Sequence, residues 1–353
     1  MSDDQRDISP VDRGNVGICL RPQYAGAYSI DAMRAQARRA DENGFHSVWL
    51  AESWGQSAVP VLADLAARTS RVVVGTAIVN VFSRTPSLLA MTASTMTELF
   101  PDRFVLGLGA GTRALVEDWH GLSFERPIDR MRDAIAVVKA ATAGEKVDYR
   151  GATVAVSGYR LRVPVGQRPA AVYVAALGTR GLDLVAEAAD GWLPYLLARR
   201  RLPEQIARIE ERAAAVGRAD RPAVAPLIVT CVDEDAAVAR GQARRHIAGY
   251  LGAMGPHYRD FVSRHGYPQE VVAVAEAWAA GERDRAVAAV SDEMLDDIAI
   301  CGSPDECAGQ IERWRAAGAE LPILHFPSAT TTHGVDLAIE TLGGVHPAEV
   351  SAR

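Results

Sequence analysis

The feature that most restricts this chain is an alternation of short apolar runs with longer amphipathic stretches, kept up from Val16 to Leu342. The run Val72–Ile78 carries apolar residues on both alternating faces, as a strand does when it is covered on both sides. Such strands belong to parallel sheets whose connections are helices. Strands are predicted at Val16–Leu20, Ser47–Ala51, Val72–Ile78, Phe104–Leu108, Val172–Ala176, Gly191–Leu193, Val224–Val232 and Ile323–Phe326. Helices are predicted at Ile30–Asn43, Val59–Arg68, Pro86–Phe100, Arg126–Ala143, Leu182–Ala189, Leu202–Val216, Pro304–Ala317 and Val335–Leu342. Gly44 punctuates the first helix at its end, and Pro86 opens the third at the favoured first-turn position.

Eight strand–helix units in 353 residues specify an α/β fold, a (β/α)8 TIM barrel with insertions, expected as one domain over 1–353. A doubly wound open sheet is the competing arrangement. Two segments break the rhythm. Val147–Val163, with Gly151 and Gly158, reads as a β-hairpin, and Asp233 to about Ala299 reads as a helical insertion before the last unit.

The net charge of −6 offers no basic surface for nucleic acid or anionic membrane. Met1–Arg13 is polar and lacks the apolar stretch of a secretory signal. No apolar run approaches the roughly 18 residues of a spanning helix. The four cysteines, Cys19, Cys231, Cys301 and Cys307, fit no common zinc spacing and read as reduced thiols. A cytoplasmic location is expected, without metal and without a Ser–His–Asp nucleophile elbow.

In a barrel of this kind function sits on the loops after the strands. Strand two runs into Glu52-Ser53-Trp54-Gly55, and strand three into Ala77-Ile78-Val79-Asn80 and on to Pro86. Strand four leads into Gly107-Leu108-Gly109-Ala110-Gly111-Thr112, and strand five into Ala176-Leu177-Gly178-Thr179-Arg180-Gly181. Small residues and backbone donors around one mouth let a planar ring lie close to the main chain. The Gly107–Gly111 glycines miss the spacing of the dinucleotide fingerprint and could simply permit a tight turn. Gly178 and Thr179 precede a helix, where free N–H groups favour a phosphate; Thr179 could equally cap that helix.

Together these segments resemble the luciferase-like monooxygenase superfamily. The resemblance rests on strand three through Pro86, Thr92-Ala93-Ser94-Thr95, Asp102-Arg103-Phe104 through Gly111, Ala188-Ala189-Asp190-Gly191-Trp192, and Gly302-Ser303-Pro304-Asp305-Glu306. Val116 to Gly121 and Arg130-Met131-Arg132 are similar to the branch that uses the deazaflavin coenzyme F420, as are methylene-tetrahydromethanopterin reductases. The resemblance implies F420 as cofactor, with FMN as the alternative, and a non-prolyl cis peptide at Ala77–Ile78. It implies further that Gly178 and Thr179 meet the cofactor phosphate, with Ala176 and Leu177 also in the cofactor-binding set. Gly109, Ala110, Gly111 and Thr112 would flank the ring or ribityl chain, with Ala77 and Ile78 behind the ring and Asn80, Glu52 and Ser53 near its edge. Relatives of this kind are often homodimers.

One departure bears on the reaction. F420-dependent sugar-phosphate and alcohol dehydrogenases carry Asp-His after strand two and a Glu after the strand-four glycines, where this chain has Glu52-Ser53 and Thr112. Hydride transfer to an activated C=C or C=N bond of a small substrate is therefore expected rather than alcohol oxidation. The alternatives are an FMN-dependent monooxygenase and a non-catalytic flavin-binding protein. Candidate proton donors are His120 and Glu52; Glu52 could instead anchor an arginine, and His120 could pack its loop with Trp119. His325, within strand eight, could point into the barrel or be a satisfied core histidine, and His246, His257 and His265 read as surface residues or a cover for the mouth. The clusters Arg199-Arg200-Arg201 and Arg244-Arg245 read as a solvated face or as partners for an acidic cofactor tail.

Overall fold

The computed structural model describes residues 15–20, 29–163, 169–328 and 330–344; the polar Met1–Arg13 segment lies outside them. The strands are β1 (Gly17–Leu20), β2 (Ser47–Leu50), β3 (Val73–Thr76), β4 (Val79–Asn80), β5 (Phe104–Gly109), β6 (Val147–Arg150), β7 (Ala155–Tyr159), β8 (Ala171–Val174), β9 (Gly191–Trp192), β10 (Ala223–Val224), β11 (Leu227–Val232), β12 (Ala299–Gly302) and β13 (Ile323–His325). The helices are α1 (Ile30–Glu42), α2 (Ala58–Ala66), α3 (Pro86–Leu99), α4 (Pro127–Thr142), α5 (Thr179–Ala188), α6 (Leu202–Ala215), α7 (Ala236–Ala253), α8 (Pro256–Arg264), α9 (Pro268–Ala279), α10 (Arg283–Ala288), α11 (Asp292–Ile298), α12 (Pro304–Ala316) and α13 (Thr332–Leu342).

One parallel sheet runs β10-β9-β8-β5-β3-β2-β1-β13-β11-β12. β10 and β11 are two parts of one stretch, and they pair with β9 and β13 respectively. The sheet therefore curls into a ring of eight strand positions. The interruption falls at Ala225-Pro226, where a proline has no N–H to give a ladder. The sequence reading of Val224–Val232 as one strand is corrected there.

A second correction lies beside it. Ala299–Gly302, where the insertion was read to close at about Ala299 and no strand was expected, is a buried strand paired in parallel with Val229–Val232. The carboxyl half of β11 thus takes its neighbour from the insertion rather than from β9.

The inside of the ring is filled by side chains, as the closed geometry requires. Trp49 and Tyr173 occupy most of it, with ring centroids 5.9 Å apart. Space for them comes from glycines: a methyl at Gly75 would stand 2.4 Å from the Trp49 ring, and one at Gly191 2.6 Å from Tyr173. Cys19, Leu193, Ala225, Leu227, Leu321 and Ile323 complete this inner cluster. The outer core lies between strands and helices, with Ile18, Leu62, Leu65, Leu89, Leu106 and Ile339 fully buried.

Carboxylates fasten the chain at defined places. Asp41, at the foot of the barrel, accepts from the backbone N–H groups of Ser70, Arg71 and Val72 at 2.8, 2.9 and 2.8 Å. Asp133 on α4 holds the β6–β7 hairpin through the Tyr149 hydroxyl (2.8 Å) and the Thr153 N–H and hydroxyl, both at 2.6 Å. The hairpin expected from Gly151 and Gly158 is present and antiparallel.

Candidate functional site

Strand three carries one extra residue at its carboxyl end. Gly75 opposes Val105, and Val79 opposes Leu108. Three residues, Thr76, Ala77 and Ile78, therefore face two, Leu106 and Gly107, which is a β-bulge. The Ala77–Ile78 peptide bond inside it is cis, at the position the sequence resemblance implies. The Thr76 hydroxyl replaces the broken ladder: it accepts from Gly107 N–H and donates to Gly107 C=O, both at 2.8 Å. Only glycine fits opposite. A methyl at Gly107 would lie 1.8 Å from the Thr76 carbonyl oxygen, and one at Gly109 would lie 2.8 Å from Ile78.

Asn80 follows the bulge, buried, with Oδ1 accepting from Phe82 and Ser83 N–H at 2.9 and 2.8 Å. Its amide nitrogen is left toward Gly111, which has φ +69°. Thr112 uses its hydroxyl to accept from Leu115 N–H at 3.2 Å, at the start of a π-helical turn over Leu115–Trp119. His120 ends that turn, partly buried. Trp119 does not pack the loop: it is 62% exposed.

At the end of strand five, Ala176 is buried and its carbonyl accepts from the Trp192 indole at 2.8 Å. Helix α5 begins three residues earlier than the sequence suggests. Its cap is Gly178, extended at φ −102° and ψ 163°, with no side-chain cap bond. Thr179 is the first helical residue rather than the cap. The leading amides of a ten-residue helix thus remain for an external acceptor, and a side chain at Gly178 would meet nothing within 4 Å. Arg180 is largely exposed and only 3.8 Å from Asp129.

Glu52, a sequence candidate for proton transfer, is instead an anchor. It forms a two-pronged pair with Arg84 (Nη1 to Oε1, and Nη2 to Oε2 at 2.8 Å) and accepts from Ala58 N–H at 2.9 Å. Burial raises its carboxyl pKa, but the hydrogen bonds from Arg84 and Ala58 outweigh that and hold it below the usual range. A carboxylate kept ionised gives up no proton. Ser53 lines a small cleft between α1 and α2 with Met33, Gln56 and Val61. Trp54 is 47% exposed.

On the other side of the mouth the sequence offered His246 and His325 only as separate histidines and did not single out Tyr195, Tyr250 or Tyr258. Tyr195, after β9, lies 2.5 Å through its hydroxyl from Nε2 of His246 on α7. The Tyr195 ring stands 5.2 Å from that of His325 at the end of β13, and 5.1 Å from Tyr250. Tyr250 in turn packs edge-on to Tyr258 of α8 at 4.8 Å. His246 is not a surface residue, because α7 lays it against the strand ends. The available signal was its spacing from Tyr250, four residues on and on the same helical face. Burial lowers the pKa of His246 to about 4, and burial with the neighbouring His246 lowers that of His325 to about 3.

Four of the five clustered arginines, Arg199, Arg200, Arg201 and Arg244, form ion pairs. Arg200 pairs with Glu293 and Asp297 and covers the Tyr267 ring at 4.5 Å, while Arg201 pairs with Glu204 and Arg244 with Asp292. Among the described residues no grouping of His, Cys, Asp and Glu could hold a metal ion, and no helix is long and apolar enough to cross a membrane.

Comparison with known proteins agrees with this geometry. The family model described as luciferase-like monooxygenase matches residues 16–321. A Mycobacterium tuberculosis protein provisionally named a coenzyme F420-dependent oxidoreductase is 31% identical, over 88% of this chain and 95% of its own. The 5,10-methylenetetrahydromethanopterin reductase of Methanolobus tindarius is 29% identical, over 78% and 84% of the two chains. In structure, the coenzyme F420-dependent tetrahydromethanopterin reductase of Methanopyrus kandleri superposes with a TM-score of 0.79 at 23% identity, covering 94% of this chain and 98% of that one.

Proposed function

The chain belongs to the luciferase-like monooxygenase family, and from that premise we propose that it is a coenzyme F420-dependent oxidoreductase that reduces an activated C=C or C=N bond in a small organic molecule. The name carried by its relative from Mycobacterium tuberculosis supports the choice of cofactor. What carries the reading here is the bulge at Ala77–Ile78 beside Gly107 and Gly109, where main chain rather than side chains forms the wall.

The residues fit a flat phosphorylated cofactor on two counts. The uncapped amides of Thr179 and Arg180 at the start of α5 suit a phosphate, with open space at Gly178. The glycine-lined ends of strands three and four suit a ring. Gly109, Ala110, Gly111 and Thr112 would border it, with Asn80 and Ser53 toward its edge and Ala176 and Leu177 leading to the phosphate. Bound in reduced form, a deazaflavin supplies a hydride. The chain's part is then positioning of the two reactants. Glu52 stays ionised on Arg84 and orders the loops after strands two and three, which removes it as a proton donor. His120 remains a candidate donor at the end of its turn.

Reduction is favoured over alcohol oxidation because no histidine follows strand two, where Glu52-Ser53 stands, and Thr112 follows the strand-four glycines. Titration of the purified chain with F420 and with FMN, followed by fluorescence quenching, tests the cofactor. Saturable F420 binding together with consumption of reduced F420 by an enone or imine is expected. Binding of FMN alone overturns the assignment, and tight F420 binding without turnover of any such substrate points to a storage role.

A further inference from the structure

We propose that His325 and the Tyr195–His246 pair form the polar end of a substrate subsite that takes the carbonyl group of an uncharged organic molecule; this rests on the reductase reading above. The position argues first. Tyr195 packs against the inner barrel cluster that also includes Ala77 and Ile78, so it faces the same mouth as the bulge. His325 is in register with Cys19 of β1 and Val229 of β11, and it ends the run of ring-filling residues that begins at Leu321 and Ile323.

An unmet hydrogen bond argues second. Nδ1 of His325 is sealed from solvent and has no hydrogen-bond partner among the described residues. Buried polar atoms in folded proteins are nearly always satisfied, and an orphan in a barrel mouth is the signature of a ligand that completes it.

The chemistry of the surroundings sets the class. Tyr195, Tyr250 and Tyr258 meet edge-on around the two histidines, supplying flat apolar walls and neutral polar tips. Burial keeps both imidazoles neutral at physiological pH. Arg199, Arg200 and Arg244 are held by Asp297, Glu293 and Asp292, and Arg245, beside His246 in the chain, is exposed to solvent. An anionic ligand would lose hydration against two neutral imidazoles and three tyrosine rings, whereas a carbonyl oxygen gains neutral donors.

The probe is 4-dimethylaminocinnamaldehyde, whose visible band moves to the red when its carbonyl oxygen is hydrogen-bonded, set against the anionic 4-dimethylaminocinnamate. The full chain should bind the aldehyde with a red-shifted band and the carboxylate at least tenfold more weakly. Tyr195→Phe and His325→Phe should each weaken aldehyde binding about tenfold and diminish the shift, with melting profiles unchanged at neutral pH. In the wild-type chain, the 15N signals of the His325 ring should move on adding aldehyde, a readout that needs no variant. Equal binding of the two probes, an unshifted band, or unmoved His325 signals overturns the subsite. The F420 titration is read separately: F420 binding without an aldehyde shift sinks this inference alone, and an aldehyde shift without F420 binding upholds the subsite while the cofactor assignment fails.

Discussion

Replacing Thr76 by valine isolates what holds the bulge. Valine has almost the same shape and differs by one hydroxyl, so packing around residue 76 is preserved. What vanishes are two 2.8 Å hydrogen bonds, one accepted from Gly107 N–H and one given to Gly107 C=O. Thr76 is fully buried, and the bulged strand commits its Ala77 N–H to Leu50 and its Ile78 C=O to Glu52 rather than to Gly107. Water therefore has no access to either orphan. Each buried backbone group left unpaired costs about 1–3 kcal/mol, so Thr76→Val should lose about 2–6 kcal/mol. Thr76→Ser keeps the hydroxyl and drops one methyl, for a cost of about 1 kcal/mol. Urea unfolding of the three proteins, with slopes compared as well as midpoints, reads these values directly. A valine variant within about 0.5 kcal/mol of wild type, or a serine variant as damaged as the valine one, refutes the claim that the hydroxyl stands in for the missing ladder.

Three further outcomes follow from the same hydrogen-bond accounting. Asp41→Ala leaves three backbone amides before β3 unpaired and should destabilise the chain by about 3 kcal/mol in urea unfolding. Because those bonds outweigh burial and hold the Asp41 carboxyl below its usual pKa, its contribution is complete above about pH 4, the unfolded value, and is lost as pH falls through the folded one; a pH series on wild type and variant should converge in acid. Asp133→Ala should free the β6–β7 hairpin while sparing the barrel, seen as faster hydrogen exchange confined to 147–159. The buried His246 and His325 work the other way: neutral in the fold and protonated below about pH 6.5 when unfolded, they cost stability on the order of 1 kcal/mol each per pH unit as pH drops from there towards about 4. Replacing either with phenylalanine should flatten that part of the melting profile.

The strands were legible because their apolar content admits no exposed face: Val48, Val74, Leu106 and Val172 are all fully buried. Where reading failed, a local signal was outweighed by pairing at a distance. Val224–Val232 looks continuous along the chain, yet Pro226 breaks it and its two parts pair with different neighbours. Ala299–Gly302 is four residues at the edge of a helical run, too short for any periodicity, and only Val229–Val232 across from it makes it a strand. Thr179 has the right residue type for a cap, but the extended Gly178 takes that place. The glycine-lined rim of the mouth, proposed above to take the cofactor, was readable because it consists of glycines and small residues contiguous in sequence. The Tyr195–His246–His325 cluster draws on β9, α7 and β13 and has no linear motif at all.

The tight fit at Gly107 and Gly109 inverts the usual logic of mutational scanning. At Gly107 the wall is peptide backbone, which substitution cannot trim, and at Gly109 it is the Ile78 side chain. Removing side chains nearby leaves the backbone outline intact, while a single added methyl, 1.8 Å from the Thr76 oxygen at one position and 2.8 Å from Ile78 at the other, pushes into the wall. Drift in this protein can thus spoil that surface by gaining carbon atoms far more readily than by losing them.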